Sequence, residues 1–168
     1  MALTSGTLVD GSRMYAAAAD AINDRYPNAL HVLSHTLGMA IELAFKGFLV
    51  HHGLTERDLR RFGHDLATLL AEAEAHGLTS TGSRHFRVSV LAANYEDRIF
   101  AYPSEGVLTV ISPARLREIA HEIICEVFQA VKGHQQFEAL QGEAGLTIQS
   151  DYLDDVNASA WTLPRVRS

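Results

Sequence analysis

A single cysteine, Cys125, stands among 168 residues. That scarcity excludes an internal disulfide framework and any multi-cysteine metal site. Its neighbours, Ile123-Ile124 and Glu126-Val127, form an apolar helical run, so Cys125 reads as a small buried side chain. Positive charge is also in short supply: the net charge is −6 and the pI about 5.8. No whole-protein case for nucleic-acid binding follows from that balance. From Phe137 onward five acids (Glu138, Glu143, Asp151, Asp154 and Asp155) face only Arg165 and Arg167. The tail therefore carries much of the negative excess, and the body has room for a local basic patch. The first residues, MALTSGTLVDGSRM, lack a basic segment followed by an apolar block, so no signal peptide is expected. The longest apolar stretch is broken by Glu42 and Lys46 and is short for a bilayer. A cytoplasmic protein without a membrane partner is the expectation. Gly-rich phosphate loops, Ser-His-Asp arrangements and paired-carboxylate motifs are missing too, and no cofactor is expected.

What is present fits an ordinary globular protein, with 47% hydrophobic and 20% charged residues. The length suits one domain with a sizeable core. Residues 1–11 are expected to be flexible, 12–134 to form a helical bundle, and 135–168 to be an acidic tail packed on the body or on a partner subunit. The pattern predicts a first helix from about Ser12 to Arg25, stopped by Tyr26-Pro27. Asn28 is placed to cap a second helix, about Ala29 to His52, ending at Gly53. Leu30, Leu33, Leu37, Ile41, Phe45, Phe48 and Leu49 recur at helical spacing, and the wide apolar coverage makes this the central helix. Thr55 caps a short turn, Glu56 to Phe62, which Gly63 breaks. Further helices are predicted from about His64 to His76, from Ser80–His85 to about Ile99, and from Pro113 to Lys132, the last opened by Ser112-Pro113. Val107–Ile111 and Leu146–Ile148 read as short extended segments. Trp161 is placed to anchor the tail to the body or to a second subunit. The fold class is all-α, an up-and-down bundle of about five helices.

The stretch Thr36–Leu70 carries Glu42, Lys46 and His64 within apolar helical surroundings. Buried polar groups are costly unless they meet partners. Glu42 and Lys46 stand one turn apart in the favourable order. His64 is expected to turn inward onto Glu42, and Asp65 to favour the following helix start. Two readings stay open: a polar brace that fixes helix packing, or, with Tyr95 and Arg98, a small anion or nucleotide pocket.

The succession Ile41-Glu42-Leu43-Ala44-Phe45-Lys46-Gly47, then Phe62-Gly63-His64-Asp65-Leu66, then Tyr95-Glu96-Asp97-Arg98 and Tyr102-Pro103, resembles the HEPN domain superfamily. The resemblance spans about Tyr15 to Lys132, and Ile99-Phe100-Ala101 displaces the tyrosine-proline pair from Arg98. It implies an all-α bundle, usually a homodimer, from a superfamily tied to RNA cleavage, toxin–antitoxin pairs, phage defence and nucleotide binding. An antitoxin or nucleotidyltransferase partner belongs to the same setting.

Ribonucleases of that superfamily use an arginine to position phosphate and a nearby histidine as acid or base. Three pairs have suitable spacing: Arg25 with His31, Arg57 with His64, and Arg115 with His121. Chance alone gives roughly two such matches. The first spans the Tyr26-Pro27 break and is set aside. Arg57 with His64, or Arg115 with His121, are the candidate centres of a metal-independent endoribonuclease. Gly63 interrupts the first, and the six-residue step of the second leaves its side chains about 120° apart. His31 and His35 share a helix face suited to a metal, but no third ligand accompanies them; His51 and His52 suit terminal carbonyls. Arg57, Arg60 and Arg61, with Arg84 and Arg87, offer a basic surface for RNA backbone. The leading expectation is a HEPN-like module binding nucleic acid or a partner protein, with the ribonuclease and a purely structural interaction module as alternatives.

Overall fold

The computed structural model describes residues 4–79, 88, 95 and 112–133. Five helices are described whole: α1 (Ser5–Arg25), α2 (Leu30–His51), α3 (Glu56–Phe62), α4 (Leu66–Ala75) and α5 (Pro113–Lys132). They form an all-α bundle, with no strand among the described residues. The extended segments expected at 107–111 and 146–148, most of the helix expected over 80–99, the tail 135–168 and Trp161 lie outside the described residues.

α1 begins seven residues ahead of the expected Ser12, inside the segment read as flexible. Two local facts account for this. The Thr4 hydroxyl accepts from the Thr7 amide at 3.1 Å, supplying the N-cap. Leu8 and Val9 are then 6% and 0% exposed, so the first turns are held by burial rather than by propensity. α2 makes this approach possible at Gly47, where an added Cβ would stand 2.6 Å from Val9 Cγ2.

α2 starts at Leu30, with Ala29 rather than Asn28 at the cap and no side-chain cap bond. Ahead of it the Ala29 amide closes a turn onto the Tyr26 carbonyl at 2.9 Å. The helix is the hub of the bundle, packing on α1, α4 and α5. Leu33, Leu37, Ile41, Phe45 and Leu49 are essentially inaccessible, as are Leu66, Leu69 and Leu70 of α4 and Ile119 and Ile123 of α5. By length and composition α2 could cross a membrane, and 67% of its most apolar window is buried inside the fold.

The expected short turn is the helix α3, held by a reciprocal cap: Asp58 N–H donates to Thr55 Oγ1 at 3.3 Å and Thr55 N–H to Asp58 Oδ2 at 2.9 Å. α4 opens two residues later than expected, because Asp65 is the N-cap, accepting from Thr68 N–H at 2.7 Å. His64 is thereby left in the turn. Ser112 and Pro113 open α5 as the sequence implied, with the Ser112 hydroxyl accepting from Arg115 N–H at 3.3 Å.

Candidate functional site

Among the described residues two buried carboxylates, Glu42 and Asp20, organise the polar interior. Glu42, 3% exposed, sits midway along α2. Its Oε1 accepts from Lys46 Nζ at 2.6 Å. Its Oε2 lies 2.9 Å from His64 Nδ1 and 2.8 Å from the Tyr95 hydroxyl. Lys46 Nζ also donates to the Gly63 carbonyl at 2.8 Å, which pins the α3–α4 turn onto α2. Gly63 adopts φ 56°, ψ −121°, a left-handed backbone that an L side chain rarely takes. Tyr95 reaches the carboxylate by lying across Gly38, whose absent side chain leaves room for the ring. Burial pushes the Glu42 carboxyl upward, but the bonds from Lys46, His64 and Tyr95 and the Lys46 charge outweigh it, and the net direction is below the ordinary value. An ionised Glu42 accepts, so His64 Nδ1 is the donating nitrogen of this contact.

His64 is not turned into the core. Its side chain is 59% exposed, while Lys46 is 16% exposed. The cluster is therefore a surface-reaching brace: its carboxylate is buried, one imidazole edge faces water, and Lys46 stands between. Arg98, the remaining residue of the expected pocket, lies outside the described residues, as do Arg84 and Arg87. On α3, Arg57, Arg60 and Arg61 are all exposed. Their positions, two, five and six in the helix, put them on one face at about 100° per residue. Of these, Arg60 pairs with Glu56 at 2.6 Å, both side chains more than half exposed.

The second carboxylate has no counterpart in the sequence reading. Asp20 of α1 is 1% exposed. Its Oδ1 accepts from Arg117 Nε at 2.5 Å, and its Oδ2 lies 3.0 Å from His121 Nε2. Burial raises the Asp20 carboxyl; His121 and then Arg117 more than reverse this, and the net direction is downward. The structure thus brings His121 together with Arg117, four residues away, rather than with Arg115. Arg115 turns aside to Glu118 at 2.5 Å. A four-residue step returns to the same helix face and a six-residue step does not. With its side chain 9% exposed, His121 ties α5 to α1. One sequence signal pointed to Asp20: it follows Ala16 by four residues on the face of α1 that also buries Ala19.

Cys125 is buried, and desolvation raises its thiol well above the ordinary value. Among the described residues no three His, Cys, Asp or Glu side chains are grouped to hold a metal, His31 and His35 included. His51 and His52 close α2, and the His52 ring lies 6.3 Å from that of His76, the C-cap of α4. No protein-family model matches the chain, and neither the curated proteins nor the solved structures contain a match.

Proposed function

We propose that the chain is a HEPN-like nucleic-acid-binding module that works as a homodimer in the cytoplasm, in a defence or toxin–antitoxin setting. The observation that carries the nucleic-acid part is the exposed arginine face of α3, Arg57, Arg60 and Arg61, followed in the next turn by the exposed edge of His64. Three guanidinium groups on one face suit a phosphate backbone, while Lys46 is tied to Glu42 and the Gly63 carbonyl. Binding by such a face is a counterion-release reaction and weakens with salt. In a filter-retention assay on single-stranded RNA, changing all three arginines to alanine is expected to reduce the log–log salt slope by about 2, at roughly 0.7 per phosphate contact. Salt-independent retention, or retention unchanged in the triple variant, refutes this reading.

A second reading, a metal-independent endoribonuclease, is favoured by one observation. Glu42 holds His64 by Nδ1 while the ring stays 59% exposed in the turn that follows the arginine helix, an arrangement suited to a proton-transferring imidazole. It requires RNA cleavage by the intact protein that His64→Ala removes and His121→Ala spares. Absence of cleavage across structured and single-stranded RNAs rejects it and leaves the binding module standing.

A further inference from the structure

The inner face of α1 carries Leu8, Val9, Ser12, Ala16, Ala19 and Asp20, all buried. The opposite face is unusual for a solvent-facing helix. Asp10, Met14, Ala17, Ala18, Ala21 and Arg25 are all exposed, and at about 100° per residue they fall within an arc of about 100°. Its apolar centre is open among the described residues, with Met14 74% exposed. The exposed large hydrophobics of the described residues, Met14, Tyr15, Tyr26 and Val32, all lie on α1, at its C-cap or in the first turn of α2. Exposed apolar residues grouped on one helix face, as Met14, Ala17, Ala18 and Ala21 are, mark an interaction surface rather than scattered exposure.

The order of residues along this face says what fits it. Read from either end about a point between Ala17 and Ala18, the stripe complements itself. A second α1 laid antiparallel, with a two-fold axis through that point, sets Ala17 against the partner's Ala18. It sets Met14 against the partner's Ala21, and Asp10 against the partner's Arg25. Each pairing recurs on the other side of the axis, which is the requirement of an isologous interface. Alanines at the crossing let two helices approach to about 8 Å, and the long Met14 side chain fills the space that Ala21 leaves. The terminal charges have opposite sign at both ends of the contact. Asp10 already meets Lys132 at 3.3 Å yet keeps a 55% exposed side chain, so it remains available to a second cation.

We infer that the outer face of α1 is the homodimer interface of this protein, with two α1 helices packed antiparallel about an axis between Ala17 and Ala18. This rests on the homodimeric part of the proposed function and not on its nucleic-acid part. The test is sedimentation equilibrium of the full chain at low salt, where exposed charge pairs are least screened. Ala18→Glu brings two like charges together near the axis and is expected to raise the dimer Kd at least about tenfold. Asp10→Arg and Arg25→Asp each weaken the dimer severalfold, and the double reversal returns Kd to within about threefold of the parent, because reversed charges again face opposite ones. Far-UV circular dichroism of the monomeric variants confirms that these exposed changes leave the helices in place. A dimer indifferent to Ala18→Glu and to both reversals overturns the interface while leaving the homodimer intact. A monomer at every concentration overturns both, whether the face is then covered by another protein or by another part of this chain. Weakening without rescue in the double variant overturns the antiparallel register.

Discussion

Replacing Glu42 by glutamine keeps the shape of the side chain and removes its charge, so it isolates what the carboxylate does. Three donors converge on Glu42: Lys46 Nζ, His64 Nδ1 and the Tyr95 hydroxyl. A glutamine offers one oxygen in place of two and presents two N–H donors of its own, so at least one donor faces another donor. His64, 59% exposed, turns to water at little cost, and its share is at most that of a surface pair. Lys46 and Tyr95 are the costly members, because one is mostly buried and the other 5% exposed. Hydrogen bonds to a charged group contribute about 1.5–3 kcal/mol each, and partial compensation by the amide oxygen leaves an expected loss of about 2–3 kcal/mol. For a chain of this length that lowers the melting temperature by about 4–12 °C. The pH dependence gives a second check. The Glu42 carboxyl lies below its ordinary value in the fold, so its stabilisation is present at neutral pH. As pH falls below roughly 4.3 and on through the folded value, that stabilisation is lost. The gap between parent and Glu42→Gln in urea unfolding must therefore narrow toward pH 3. A melting temperature within 1 °C of the parent at pH 7, or a gap that widens on acidification, refutes the brace.

Asp20→Ala leaves Arg117 and the mostly buried His121 without their shared carboxylate, with an expected loss of about 3–4 kcal/mol in denaturant unfolding; a cost no larger than that of Arg115→Ala would show that Asp20 does not tie α1 to α5. Gly47→Ala improves local helix propensity by about 1 kcal/mol, but its Cβ meets Val9 Cγ2 at 2.6 Å in the α1–α2 contact. Overpacking of about 1–3 kcal/mol should win and lower the melting temperature. Cys125 should react with thiol reagents only as fast as the protein opens, and rapid labelling in native buffer would contradict its burial.

The helices were legible because their signals are local. Ser112-Pro113 opens α5, Gly53 ends α2, and the apolar spacing of Leu33, Leu37, Ile41 and Phe45 marks the buried side of the hub. The errors fell where a tertiary contact outweighs a local one. Gly6 and Gly11 weaken the local helix signal, yet α1 runs through both, because Thr4 caps it and Leu8 and Val9 are buried against α2 at Gly47. Asn28 is a better capping residue than Ala29, and the Tyr26–Ala29 turn passed it over. The Glu42–Lys46 contact follows from spacing alone. That His64 meets Glu42 from the outside does not, because it depends on the Gly63 backbone and on Asp65 taking the cap.

The same physical rule that selects Glu42 in the sequence also selects Asp20, and this shows what a search for arginine–histidine spacings leaves out. Both carboxylates stand four residues after a small buried residue, Ala16 before Asp20 and Gly38 before Glu42, on a helix face that turns inward. A carboxylate in that position demands cationic or donor partners, since leaving it unpaired would cost several kcal/mol. Glu42 finds one partner on its own helix, at the fourth residue. Asp20 has no such option: its fourth neighbour is Asp24, exposed and of the same sign. Its partners must come from another helix, and two donors four residues apart are the arrangement that lets one helix grip one carboxylate. On α5 that condition selects Arg117 with His121. Spacing rules drawn from a catalytic motif select Arg115 instead, which the helix turns away toward Glu118. The demand of the buried acid, rather than the spacing of the bases, sets the α1–α5 tie and makes His121 part of the brace that holds those two helices together.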